Sequence, residues 1–139
     1  MDETATNKTR PPISVICATA LIVFSAILGA LRFWIEYERL VQPGEERMSI
    51  IGFSIFIGLM LLIAFLAFNG RNWARVVFLV LVLIGLLPAL TAVGAELQRN
   101  AVLGIAGLAQ AISQVAAIIL FFVPSSNVWY REIKTVRRG

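Results

Sequence analysis

Charge is what this sequence has least of. Between Arg10 and Arg32, Arg47 and Arg71, Arg75 and Glu96, and Arg99 and Arg131 it holds no Asp, Glu, Lys or Arg, which leaves uncharged runs at residues 11–31, 48–70, 76–95 and 100–130. A helix that crosses a hydrocarbon core takes about 20 apolar residues, and each run is long enough. Charged residues are 14 % of the 139 and hydrophobic ones 59 %, against about 25 % and 45–50 % in soluble domains. A soluble globular chain is therefore excluded. The runs do not alternate polar and apolar residues, which a membrane β-barrel would require. Helices are the remaining way to satisfy every backbone polar group in lipid.

Histidine is absent altogether, which removes the commonest general base and metal ligand. The single cysteine, Cys17, can form no intrachain disulfide. It lies in the first apolar run and reads as a small packing residue, because a reactive thiolate needs an electropositive, partly exposed setting. No Ser/His/Asp set, paired carboxylates or metal-ligand cluster falls at membrane depth. A phosphate loop, zinc spacing and dinucleotide fingerprint are also missing. The expectation is a non-enzymatic protein with no catalytic residue, cofactor or metal. Proton-coupled pumps and transporters usually carry an ionisable residue inside a span, and none lies away from the ends of these runs. This counts against a small multidrug antiporter, which the chain otherwise matches in size.

What is present organises around the four runs. Residues 1–12 form a polar, flexible N-terminus that ends in Pro11-Pro12, well suited to the first turn of a helix. Spans are expected at about 13–34, 49–68, 74–94 and 101–123, followed by a basic tail, 124–139. Lys8 and Arg10 before an apolar run also fit a signal peptide. The run is too long for a signal core, however, and its small-x-small match, Ala18-Thr19-Ala20, lies inside it, so no cleavage is expected. Loop one, 35–48, holds Glu36, Glu38, Glu45 and Glu46, with Pro43-Gly44 as its turn. Its carboxylates can bind a cation or envelope ligand, or simply be solvated. Loop two, 69–72, is tight, and loop three, 95–100, carries Glu96 and Arg99. Short links make sequential helices antiparallel neighbours. The fold class is an all-α, integral-membrane, antiparallel four-helix bundle.

Both termini then share one side. That side carries eight basic residues (Lys8, Arg10, Arg71, Arg75, Arg131, Lys134, Arg137, Arg138) and three acidic ones. The other carries four basic and five acidic, giving charges of +5 and −1 that account for the net +4. The basic excess predicts that the termini and loop two are cytoplasmic. Basic residues at span ends point to anionic lipid headgroups as partners. No basic domain exists to carry nucleic acid, so none is expected.

Span four is two-faced. At 100° per residue, Ile105, Leu108, Ile112, Val115 and Ile119 share one side, suited to lipid. Gly104, Gly107, Gln110, Ala111, Ser113, Gln114 and Ala117 share the other. Small residues permit close helix approach and amides bond across the gap, for about 0.6–2 kcal/mol each. Gly104, Gly107, Gln110, Ser113 and Gln114 are accordingly the candidates for helix packing or for a polar path. Ala18, Ile22, Ser25, Gly29 and Arg32 form a stripe on span one, and Ser54/Gly58 and Gly85/Ala89 are further small pairs four apart, open to use in the fold or in a homo-oligomer or membrane-protein partner. Pro88 should kink span three, and Arg32 can pair with Glu36 one turn on.

Two edges on the predicted cytoplasmic side look alike. Asn69-Gly70-Arg71-Asn72-Trp73-Ala74-Arg75 follows span two, and Pro124-Ser125-Ser126-Asn127-Val128-Trp129-Tyr130-Arg131 follows span four. Both place Trp-x-Arg after an Asn, either as the trace of a duplicated hairpin or as two selections for the same interface. Trp rings suit the headgroup level and Arg reaches lipid phosphates, so Arg71, Trp73, Arg75, Trp129, Tyr130 and Arg131 are the candidate lipid-interface anchors. These two motifs resemble those of uncharacterised small four-span bacterial inner-membrane proteins, and the layout is similar across most of the chain. The resemblance implies a bacterial cytoplasmic (inner) membrane and implies no reaction, cofactor or catalytic residue.

Overall fold

The computed structural model describes residues 10–136. The helices are α1 (Ile13–Ile35), the one-turn α2 (Tyr37–Leu40), α3 (Glu46–Phe68), α4 (Asn72–Arg99), α5 (Ala101–Phe122) and α6 (Pro124–Val136). Four of them, α1, α3, α4 and α5, are long and apolar enough to cross a membrane. Most of the N-terminus read as flexible, and Arg137 and Arg138 of the basic tail, lie outside the described residues.

Two turns are set by glycine. Gly44 (φ 95°) follows Pro43 in loop one, and Gly70 (φ 76°) reverses the chain between α3 and α4; both angles favour a residue without Cβ. The third connection is shorter than the sequence implies. Ala95 to Arg99 continue α4 instead of forming a loop, since none of them breaks a helix. Asn100 alone stands between α4 and α5, and its side chain accepts from the N–H groups of Val102 and Leu103 at 3.0 and 3.4 Å, a standard N-cap arrangement. Pro88 does not end α4, which runs unbroken for 28 residues. Thr91 Oγ1 donates to the Pro88 carbonyl at 2.9 Å.

α5 is the central helix, packing most extensively on α1 and α4, while α3 packs on both more sparingly. Its small face is where the sequence places it: Gly104, Gly107, Ala111, Ser113 and Ala117 are buried. Ile105, Ile112 and Ile119 point away from the bundle, each at least 60 % exposed. The stripe Ala18, Ile22 and Ser25 on α1 is buried as well. Ser54 and Gly58 on α3 instead face outward, with nothing within 4 Å of where a Gly58 Cβ would stand. Cys17 is also on an outer face, so it is not a packing residue within the bundle.

The hydrophobic core is concentrated toward the α6 end. Ile22, Ile63, Phe78 and Phe121 are almost fully buried there, joined by Trp129 and Tyr130 from α6. Phe78 and Phe121 meet edge to face at 6.2 Å between ring centres. The final segment is thus not a loose tail. Pro124 fits the first position of α6, and Ser126, Trp129, Tyr130 and Ile133 fall at i, i+3, i+4 and i+7 on its inner face.

α4 and α5 approach closely at Gly104. A Cβ there would lie 2.6 Å from Leu97 Cγ and 2.8 Å from the Leu97 Cα. Because the backbone cannot yield as a side-chain tip can, Gly104→Ala is expected to destabilise the bundle by about 1–3 kcal/mol, the usual cost of overpacking. Thermal unfolding in detergent micelles checks this, and an unchanged midpoint would contradict the contact.

Candidate functional site

No ionisable group lies away from the ends of the long helices among the described residues, but at one such end the fold brings two together. Arg32, in the last turn of α1, and Glu96, in the last turn of α4, meet across α5 at Gly107. Arg32 Nη2 donates to Glu96 Oε1 and Oε2 at 2.6 and 2.5 Å. Arg32 Nη1 donates to Gln110 Oε1 at 2.9 Å. Glu96 is only 8 % exposed. Glycine eases the meeting, since a Cβ on Gly107 would stand 3.1 Å from Glu96 Oε2 and 3.2 Å from Arg32 Cζ. Gly29 does the same for Gln110, whose Nε2 lies 3.0 Å from the place of a Gly29 Cβ.

The pairing of Arg32 with Glu36 is therefore not the one formed. Glu36 sits at the end of α1 and faces Arg39 at 3.5 Å, whereas Arg32 reaches across the bundle to a carboxylate that would otherwise be buried alone. In a medium of low dielectric such a carboxylate demands a partner.

One turn deeper, Gln114 Nε2 donates to Ser25 Oγ at 2.9 Å. Gln110 and Gln114 thus form a ladder between α5 and α1, reaching roughly 20 Å along α5 from Ala101 at 1.5 Å per residue. Ser113 does not cross to another helix, and its hydroxyl donates to the Ala109 carbonyl at 2.7 Å. Beside the ladder lies a cavity of about 330 Å³. Arg32, Gly107, Gln110 and Gln114 line one side, and Phe56, Met60, Leu81, Gly85, Ala89 and Val93 line the other. Toward α6 the aromatic core of Phe78 and Phe121 follows.

The second constellation joins the two similar motifs. Arg75 Nη1 donates to Asn127 Oδ1 at 2.6 Å and to the Phe121 carbonyl at 2.9 Å. Its Cζ lies 4.5 Å from the Tyr130 ring centre and 4.8 Å from that of Phe122, within the range of a cation–π contact. Ser126 Oγ donates to the Leu120 carbonyl and Asn127 Nδ2 to that of Phe122, at 2.7 and 2.8 Å. Three terminal carbonyls of α5, which have no partner within the helix, are thus satisfied by Ser126, Arg75 and Asn127. The Ser126 hydroxyl also meets that of Ser14 at 2.8 Å, and Tyr130 OH donates to the Ala67 carbonyl at 2.8 Å.

This corrects half of the lipid-anchor assignment. Trp129 and Tyr130 are 6 % and 2 % exposed, turned inward because the helical period of α6 aims them at the bundle, and the Arg75 guanidinium bonds protein. Arg71, Trp73 and Arg131 remain exposed. The Trp-x-Arg repeats are not equivalent in three dimensions: Trp73 is outside and Arg75 inside, while Trp129 is inside and Arg131 outside. Duplication of a hairpin gains no support from this geometry.

Removing one member of the ion pair strands the other. Glu96→Ala is expected to cost about 3–5 kcal/mol, and Arg32→Met/Glu96→Leu together to recover most of it. Unfolding of the single and double variants in micelles forms the cycle, and additive losses would contradict the pairing. At the other end, burial pushes the Tyr130 phenol up from its ordinary 10.0, with Arg75 opposing in part. A group with a raised pKa contributes stability below its unfolded value that is lost as pH rises past it. Stability should hence fall above pH 10.0, with a shallower decline in Tyr130→Phe, measured as the melting midpoint against pH.

Comparison of the chain with family models, with curated proteins and with solved structures finds no match.

Proposed function

We propose that this is a non-enzymatic multi-pass protein of a bacterial cytoplasmic membrane, with both termini inside, that acts as an accessory or assembly factor through helix and lipid contacts. The four long apolar helices are compatible with a membrane protein. The observation that carries the finer reading is how the polar and small residues divide. Arg32 bonds to Glu96 and Gln110, and Gln114 to Ser25, within the bundle. Ser54 and Gly58 on α3 are small, four apart, and uncovered, which is the surface a further helix packs on most closely. The basic excess at the α6 end supports the orientation, and the exposed Trp73, Arg71 and Arg131 suit a headgroup layer.

Gly58→Leu tests the reading. It is expected to leave the monomer folded, since nothing stands near that position, and to reduce self-association or co-purification with a membrane partner at least tenfold in crosslinked native membranes. Retained association would count against it. A second reading, a small transporter or channel, is favoured by the cavity beside Gln110 and Gln114. It requires solute flux in proteoliposomes that Gln110→Leu/Gln114→Leu abolishes. The aromatic core between that cavity and α6 opposes a continuous path.

A further inference from the structure

The cavity has one polar wall and one apolar wall, and its mouth opens sideways. Phe56, Ile84, Gly85 and Ala89 line it and are themselves exposed on the outer surface of α3 and α4. In a membrane the medium at that mouth is hydrocarbon, so whatever enters comes from the bilayer.

The polar wall has a definite chemistry. The charge on Arg32 is matched by Glu96, so the wall is neutral overall. Gln110 Oε1 is occupied by Arg32, but its Nε2 has no hydrogen-bond partner among the described residues. Gln114 uses one amide group on Ser25, and the other has no partner among the described residues, whichever way the amide is turned. Amides in apolar surroundings are costly without partners. An incoming group with carbonyl and hydroxyl oxygens would satisfy both. An anionic head would add a negative charge beside Glu96, whose guanidinium partner already holds a carboxylate.

We infer that this cleft between α3 and α4 binds an uncharged amphiphile, a lipid whose head carries ester carbonyls or hydroxyls and whose chain lies in the lateral mouth. The head contacts Gln110, Gln114 and the free N–H of Arg32 Nη1. A volume of about 330 Å³ stands at the lower end of ligand sites, which run from about 300 to 1,000 Å³. It is about eleven times the share of one water, enough for a glycerol-ester head while the chain stays between the helices. The site depends on the membrane-spanning reading of the bundle and not on the accessory role, so association through Gly58 and lipid binding here can fail separately.

The test uses the full chain in phosphatidylcholine nanodiscs with a diacylglycerol carrying a diazirine near its ester end. After irradiation, labelled peptides are mapped by mass spectrometry. Label is expected to concentrate on residues 56–60 and 81–89. It should fall at least fivefold in Ala89→Leu, which fills the mouth from an exposed position, and stay unchanged in Ala20→Leu on the outer face of α1. Unlabelled diacylglycerol should compete, and phosphatidylglycerol at the same mole fraction should not. Size-exclusion profiles establish that Ala89→Leu is folded, and Gly85→Leu, where the space is open, serves in its place if it is not. Labelling spread evenly around the bundle, labelling indifferent to the filled mouth, or equal competition by phosphatidylglycerol would overturn the assignment.

Discussion

The Arg32–Glu96 ion pair is the constraint from which the rest of this end of the bundle follows. Two charges taken out of water inside an apolar bundle are tolerable only when they face each other closely, as Arg32 and Glu96 do. That condition reaches backward into the sequence. It requires α4 to stay helical through Arg99, so that Glu96 projects inward and not into a loop. It is eased by Gly107 where α5 passes between the partners, and by Gly29 where Gln110 comes down to accept from Arg32. Glycine inside a helix ordinarily costs stability relative to Ala; here it leaves room for side chains that a Cβ would push back by a few tenths of an ångström.

The α6 end solves a different problem with the same economy of residues. α5 must stop at Phe122, leaving terminal carbonyls in an apolar setting. Ser126, Arg75 and Asn127 take them up. Tyr130 ties α6 to the end of α3, and the left-handed Gly70 turn gives Ile133 and Trp129 a place to rest, with Ile133 Cγ2 2.8 Å from where a Cβ would be. Arginine thus performs two tasks in this chain: at position 32 it neutralises a carboxylate, and at position 75 it serves as a carbonyl donor lying over aromatic rings. Between these polar ends the bundle is apolar and tightly filled on the α6 side, looser beside Gln110 and Gln114.

Much of this is legible from residue order. The number of long helices, the outward apolar face of α5 and its small face follow from run length and a 100° period. The inward stripe of α1 follows from the same period. What is not legible depends on which elements meet. Arg32 has an acidic neighbour four residues on, and nothing in the local pattern says that it will prefer a carboxylate 64 positions away. Glu96 looks like a loop residue because charge marks span ends, although Ala95 to Arg99 contain no breaker. The inner face of α6, at positions 126, 129, 130 and 133, has a readable helical period, but the basic charges around it draw attention to the outer face. Trp-x-Arg at two edges looks like one device used twice, and only the helical phase of each copy separates anchor from core.

Everything at this end of the bundle rests on direct contact between Arg32 and Glu96. Solid-state NMR on the full chain in lipid bilayers, with ¹⁵N in the arginine guanidinium groups and ¹³C in the glutamate carboxyls, tests it most directly. A strong dipolar coupling between Arg32 Nη and the Glu96 carboxyl carbon is expected, consistent with oxygens 2.5 and 2.6 Å from Nη2, and it should disappear in Glu96→Gln samples. A Glu96 carboxyl that couples to water and to no guanidinium nitrogen would contradict it.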